Sequence, residues 1–196
     1  MSNETKEKVN MDPKYIIKLT VTLCVTCVIV AGLLGLVNMV TCGPIAEINW
    51  ANTQAAMSAV VEGEAEFAEV AVTDDMTAAC KAAGATLDSV YSVSTGGYAI
   101  KVVASGSQGN IEMMVGTDGS GAVTGVSIVS NSETSGIGSR VMANENGVLD
   151  QFKGKSAADG TLTVGQNVDA ISGATVSSKG VTTGVNGALA VAGVLG

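Results

Sequence analysis

From Leu19 to Val40 the chain runs 22 residues without a charge, and beyond it the apolar positions fall into short periodic sets. As a helix the first run would extend about 33 Å, enough to cross the hydrocarbon core of a bilayer. Gly43-Pro44 is expected to end it. Residues 45–70 are rich in Ala and Glu and predict a helical stalk through Trp50, Met57, Val60 and Val61, with Glu62, Glu64, Glu66 and Glu69 on a solvated face. Thr77–Ala83 predicts a short helix stopped by Gly84.

Three alternating segments follow. Residues 98–105 put Ile100, Val102 and Ala104 on one face, and residues 111–117 do the same with Ile111, Met113 and Val115. Asp118-Gly-Ser-Gly121 is a turn, and residues 123–130 return with Val126 and Ile128 inward. The period then lengthens. Residues 139–153 predict a helix carrying Met142, Leu149 and Phe152, residues 161–168 an extended segment, and residues 175–195 a helix with Val181, Val185, Ala188 and Leu189 on one stripe. Gly180, Gly184 and Gly187 weaken that helix by propensity and suit tight packing against the sheet. The fold class expected is α+β: one N-terminal transmembrane helix, then a mainly antiparallel sheet packed by helices.

Charge orients the apolar run. Residues 1–18 carry Lys6, Lys8, Lys14 and Lys18 against Glu4, Glu7 and Asp12, a net +1; the rest carries six basic and fifteen acidic residues, a net −9. After Lys18 no Lys or Arg appears until Lys81, so the N-terminus is expected in the cytoplasm and the remainder outside it. Tyr15 and Trp50 are candidate interface markers. An uncleaved anchor is favoured over a signal peptide, because the run is long and no A-x-A site follows. Ala31 and Gly35 are spaced to admit a second helix closely, or are a chance pair of small residues. The division expected is a cytoplasmic tail at 1–18, a membrane helix at 19–42, a stalk and start of the exported part at 43–92, and a domain at 93–196.

Composition removes several function classes. The chain has no histidine, which excludes a Ser-His-Asp triad and the commonest metal ligand. An acidic chain with 3% aromatics is a poor nucleic-acid binder. Cys24 and Cys27 form a CxxC inside the apolar run, read as membrane-helix packing residues or as a thiol pair shared with a partner. Cys42 lacks the residues of a lipoprotein site, Cys80 stands alone, and no metal site is expected.

The segment Asp169-Ala-Ile-Ser172-Gly173-Ala174-Thr175 carries the chemistry. It leads from an extended stretch into a helix, whose first N–H groups lack internal partners and favour an anion. Gly173 lets the chain turn sharply, Thr175 presents a hydroxyl at the helix start, and Ser177 and Ser178 add donors. An ordinary Ser/Thr cap is the alternative.

This segment resembles the flavinylation motif, D-x-x-S-G-A-T, of the FMN-binding domain shared by the G subunit of the Rnf complex and the C subunit of the Na+-translocating NADH:quinone reductase. The family also has an E-T-P-G-L-G loop, similar to Glu133-Thr134-Ser135-Gly136-Ile137-Gly138, with Ser135 for Pro and Ile137 for Leu. The hairpin at 115–125 and Phe152-Lys-Gly-Lys155 extend the resemblance over roughly residues 95–190.

The resemblance implies an extracytoplasmic FMN-binding domain with FMN joined through its phosphate to Thr175 by a flavin transferase using FAD. It implies that Ser172, Gly173 and Ala174 hold the phosphate, that Glu133, Thr134, Gly136, Ile137 and Gly138 border the flavin, and that Asp169 serves recognition by the transferase or a helix-entry turn. Lys155 and Lys179 are candidate partners of phosphate or reduced flavin, or solvated lysines.

The expected role is electron relay in a cell-membrane complex moving electrons between ferredoxin and NAD+, coupled to Na+ or H+ transport. The expected partners are the A, B, C, D and E subunits of the Rnf complex, the transferase and lipid, with no nucleic acid. No residue is assigned as catalytic, since the flavin supplies the chemistry. The alternatives are the quinone-reductase C subunit, another exported flavin carrier, or a membrane-tethered interaction domain without cofactor. The short chain and compact stalk favour the Rnf G subunit.

Overall fold

The computed structural model of the chain describes residues 12–61, 63 and 65–196. Lys6, Lys8, Glu4, Glu7, Glu62 and Glu64 of the sequence reading lie outside the described residues. Two compact units separate, residues 1–48 and residues 49–196.

In the first unit the apolar run is helical and exposed along its length, and it is long and apolar enough to cross a membrane. Gly43-Pro44 does not end this helix: α1 runs Pro13–Val60, with Pro44 inside it. Proline removes one N–H from the ladder. The helix formers and apolar residues on either side, Leu36 and Met39 before it and Ala46, Ala51 and Ala55 after it, carry the helix past the gap.

The second unit is an α+β fold built on a five-stranded antiparallel meander, β1 (Phe67–Val70), β2 (Thr86–Val93), β3 (Tyr98–Ser105), β4 (Asn110–Thr117) and β5 (Val123–Asn131), in that spatial order. Sequential strands joined by short turns pair antiparallel without crossovers. The stalk is therefore helical only to Val60, and its end supplies β1 rather than more helix. Helix α2 spans Asp74–Ala82, three residues earlier than the apolar spacing predicts. Its start is set by Thr73, whose hydroxyl accepts from the Met76 N–H at 3.4 Å, and by Asp74 and Asp75 in the first turn. Gly84, at φ +90°, ends it.

Each face of the sheet is covered. Val90, Ile100, Val102, Ala104, Ile111, Met113 and Val115 pack with α4 (Thr175–Leu195) through Val181, Val185, Ala188 and Leu189. On the other face Ala56, Met57 and Val60 pack with Tyr91, Val93, Ala99 and Met114. Register pairs Gly116 with Gly125, and the groove they leave receives Val60, whose Cα is 3.2 Å from where a Gly125 Cβ would stand.

Two expectations between the sheet and α4 are corrected. Residues 139–153 are not one helix. A four-residue α3 (Ser139–Met142) gives way to 3-10 turns at Glu145–Gly147 and Asp150–Phe152. Asn144 and Asn146 adopt left-handed φ of 54° and 58°, which ends helical winding, while Leu149 and Phe152 still reach the core. Residues 161–168 are not extended. They fold into a tight turn closed by a Val164–Val168 bridge, with the Asn167 side chain accepting from the Thr163 N–H at 2.6 Å.

The α4 glycines serve close approach. An alanine Cβ at Gly180 would stand 2.6 Å from the Ser105 carbonyl oxygen, a backbone atom, and at Gly184 2.6 Å from the flexible Met113 side chain. Gly180→Ala is expected to lower stability by about 1–3 kcal/mol through overpacking, despite alanine's better helix propensity of about 1 kcal/mol. Denaturant unfolding checks this, and an unchanged or raised midpoint would show that the sheet can yield.

Candidate functional site

The segment 169–175 reaches α4 as an arch anchored at both feet. Ile171 and Ala174 are buried, while Ser172 and Gly173 between them are exposed, and Gly173 takes φ +84°. The Ala174 N–H donates to the Ile171 carbonyl at 2.9 Å, and the Ile171 N–H donates to Ser178 Oγ at 3.4 Å. Thr175 is the first residue of α4 and is exposed. The first backbone bond at this end is from the Ser178 N–H to the Ala174 carbonyl at 2.9 Å. Among the described residues, the N–H groups of Thr175, Val176 and Ser177 have no protein partner. Three aligned donors at the positive end of a 21-residue helix fit a phosphate.

The second sequence element comes to the same place. Residues 133–138 follow β5 and lie against the start of α4, and together they wall a pocket of about 180 Å³. Glu133, Thr134, Ile137 and Gly138 line one side; Gly173, Ala174, Thr175, Val176 and Ser177 line the other; Ser107 closes it. Gly136 and Ser172 stand outside this lining, as do Lys155 and Lys179. Ile137 and Val176 are 53% and 56% exposed, two of the few large apolar side chains that residues 49–196 leave in solvent. They give the pocket an apolar rim suited to a flat aromatic ring.

Glu133 is the clasp that joins the parts. One carboxylate oxygen accepts from the Ser107 N–H at 2.6 Å and the Gln108 N–H at 3.3 Å. The other accepts from the Ser177 hydroxyl at 2.6 Å, a side chain only 1% exposed. The β3–β4 turn, the post-β5 loop and the first turn of α4 thus meet on one side chain. Room for it exists because Gly106 and Gly138 lack a Cβ, which at either position would overlap a carboxylate oxygen. The loop, lacking the family's proline, is tied by its own bonds. The Ile137 and Ser139 N–H groups donate to the Thr134 carbonyl at 3.2 and 3.3 Å, and the Gly136 N–H donates to Ser139 Oγ at 2.8 Å.

Asp169 is exposed and lines not this pocket but a second hollow of about 270 Å³, which Ser172, Arg140 and Glu145 also line. Arg140 and Glu145 pair at 2.6 Å, which holds the Glu145 carboxyl below its ordinary range.

Sequence reasoning places Ser177 in the first turn but not its partner 44 residues away, and it misses Gly106, Ser107 and Gln151 altogether. Gly106-Ser-Gln-Gly109 forms the turn between β3 and β4, and nothing in a turn's sequence reports which loop it will touch.

Residues 106–190 match the family model described as FMN-binding domain. Over 93% of this chain and 94% of the relative, the sequence is 35% identical to the G subunit of the Na(+)-translocating ferredoxin:NAD(+) oxidoreductase complex of Acetobacterium woodii. It is 31% identical to the G subunit of the ion-translocating oxidoreductase complex of Methanosarcina acetivorans, over 91% of this chain and 95% of that one. The G subunit of the proton-translocating ferredoxin:NAD(+) oxidoreductase complex of Clostridium ljungdahlii matches at 36% over 47% of the chain and 51% of its own.

Proposed function

The chain belongs to the G-subunit family of ion-translocating oxidoreductase complexes, and from that membership we propose that it is a covalent-FMN electron relay in a ferredoxin:NAD+ oxidoreductase. The observation that carries the reading is the meeting of the 133–138 loop with the Thr175 end of α4 around one pocket. The G-subunit reading is preferred to the quinone-reductase C subunit because the Acetobacterium woodii and Methanosarcina acetivorans G subunits align along nearly their whole length.

FMN fits this site through the chain's own groups. Thr175 Oγ1 is exposed and has no protein partner among the described residues, and the three N–H groups beside it await an anion. In maturation Thr175 Oγ1 would take the FMN phosphoryl group of FAD, with AMP leaving as the pyrophosphate linkage breaks and the hydroxyl proton passing to solvent. A separate flavin transferase supplies the catalysis, with Asp169 in the surface it recognises.

Once bound, the flavin supplies the electron chemistry, and the protein supplies position and electrostatics. Gly173 and Ala174 would shape the approach to the phosphate, and Thr134, Ile137 and Gly138 would border the ribityl chain or ring, while Gly136 and Ser172, outside the lining, would shape the loop and the arch that carry them. At about 180 Å³ the pocket is smaller than the roughly 300–1,000 Å³ of sites that enclose a ligand of this size. The cofactor would therefore be gripped at its phosphate end and open at the other, which suits passing electrons to a neighbouring protein of the complex. Tethering keeps such an open-sided cofactor from being lost where no FMN pool exists.

In this reading residues 1–18 are cytoplasmic, 19–42 span the cell membrane, and 43–196 are extracytoplasmic, with the flavin-bearing part at 93–196. The test is purification from native membranes in mild detergent. The chain is expected to co-purify with further subunits of the complex and to show flavin fluorescence after denaturing electrophoresis. A colourless chain that elutes alone contradicts the relay.

A further inference from the structure

The arch that carries Thr175 is held at its far end by one side chain with no part in the flavin pocket. Gln151 Oε1 accepts from the Asp169 N–H at 2.7 Å, and Gln151 Nε2 donates to the Asp169 carbonyl at 3.0 Å. A carboxamide meeting both polar groups of one residue reproduces the two-point pairing of a β-ladder, here at a residue that lies in no strand. The second Nε2 proton is also used, toward the Val148 carbonyl at 2.7 Å, so the amide cannot rotate without losing a bond.

The mount of Gln151 is itself fixed. It is the middle residue of the 3-10 turn Asp150–Phe152, whose Phe152 is 1% exposed in the core. Asn144, in the left-handed region, accepts from the Leu149 N–H at 2.7 Å and donates to Asp150 Oδ2 at 2.8 Å. Lys153 pairs with Asp150 Oδ1 at 2.8 Å. A backbone in a sparsely populated region persists where surrounding bonds over-determine it. Here those bonds converge on the turn that presents Gln151.

We propose that Gln151 is a positioning residue for flavin attachment, clamping Asp169 so that the 169–175 arch meets the flavin transferase already ordered. The inference rests on the reading that Thr175 is the attachment residue. The arch has exposed residues at its crown and buried anchors at Ile171 and Ala174. Without the clamp, Asp169 and Ala170 would sample many conformations, and the enzyme would have to order them on binding. The effect therefore falls on recognition rather than on the chemical step.

The experiment follows initial rates of covalent flavin incorporation into the full-length chain in detergent, with purified flavin transferase and FAD. Gln151→Met keeps the length and removes all three bonds, two to Asp169 and one to the Val148 carbonyl; Gln151→Glu keeps the acceptor for the Asp169 N–H but turns an oxygen toward two carbonyls. Both variants are expected to lose about tenfold in kcat/KM for attachment, with kcat within about twofold of native. A purely structural residue would lower the unfolding midpoint and leave the kcat/KM of folded protein unchanged, and that result overturns the proposal. A native chain that takes up no flavin overturns the Thr175 reading instead. If neither variant folds, amide exchange on the native chain decides. An Asp169 N–H at least about tenfold slower than that of Ala170 supports the clamp, and equal rates overturn it.

Discussion

Replacing Thr175 by alanine is expected to abolish the covalent flavin entirely while leaving the fold intact. The side chain is exposed at the first position of α4 and makes no hydrogen bond to the described residues, so nothing in the core depends on it. Alanine is the better helix former, and exposed substitutions of this kind change stability within about 0.5 kcal/mol. The loss should therefore be total in flavin fluorescence and negligible in the thermal midpoint. Ser172 carries the nearest other hydroxyl on the arch and is exposed too. A fluorescent band that survives in Thr175→Ala would move the attachment there. Ser177 and Ser178 are poor rivals, since they are buried and bonded to Glu133 and the Ala174 carbonyl.

Glu133→Ala is expected to give the largest stability loss among the pocket residues, about 2–3 kcal/mol. Ser107 and Gln108 are exposed and can turn to water, but Ser177 is buried and its hydroxyl would lose its acceptor. Deletion also unties three segments that meet at one carboxylate, so ordering entropy adds to the unsatisfied donor. The measurement is denaturant unfolding of Glu133→Ala, Ser177→Ala and the double variant. The coupling expected across the pair is about 1 kcal/mol or more. Additive losses would mean that the contact contributes little, and that Glu133 faces the cofactor rather than the protein.

Much of this molecule is legible in its amino-acid order, for reasons that differ by element. The edges of β3 and α4 can be read because Ile100, Val102 and Ala104 recur at every second position in Tyr98–Ser105 and Thr175–Leu195 keeps one apolar stripe. β2 escapes the pattern because Asp88 and the adjacent Val90-Tyr91 blur the alternation, and both of those apolar residues are buried, one on each sheet face. The helix expected over 139–153 fails at Asn144 and Asn146, which tolerate left-handed backbone that apolar spacing does not register.

At the candidate site, both flavin-related segments are visible as short strings, but their meeting is not. The Glu133–Ser177 bond and the Gln151–Asp169 clamp span 44 and 18 residues, and local pattern carries no record of such distances. The glycines come nearest to a signal. Gly106, Gly138 and Gly180 mark places where another group takes the space of a Cβ, but not which group it is.

The most direct measurement is the mass of the tryptic peptide 156–179 from chain matured in its native membrane, released by cleavage after Lys155 and Lys179. The account predicts a peptide heavier by one FMN less one water, with fragmentation placing the addition on Thr175. A peptide at its plain amino-acid mass in flavin-replete cells, or an addition located elsewhere, contradicts it.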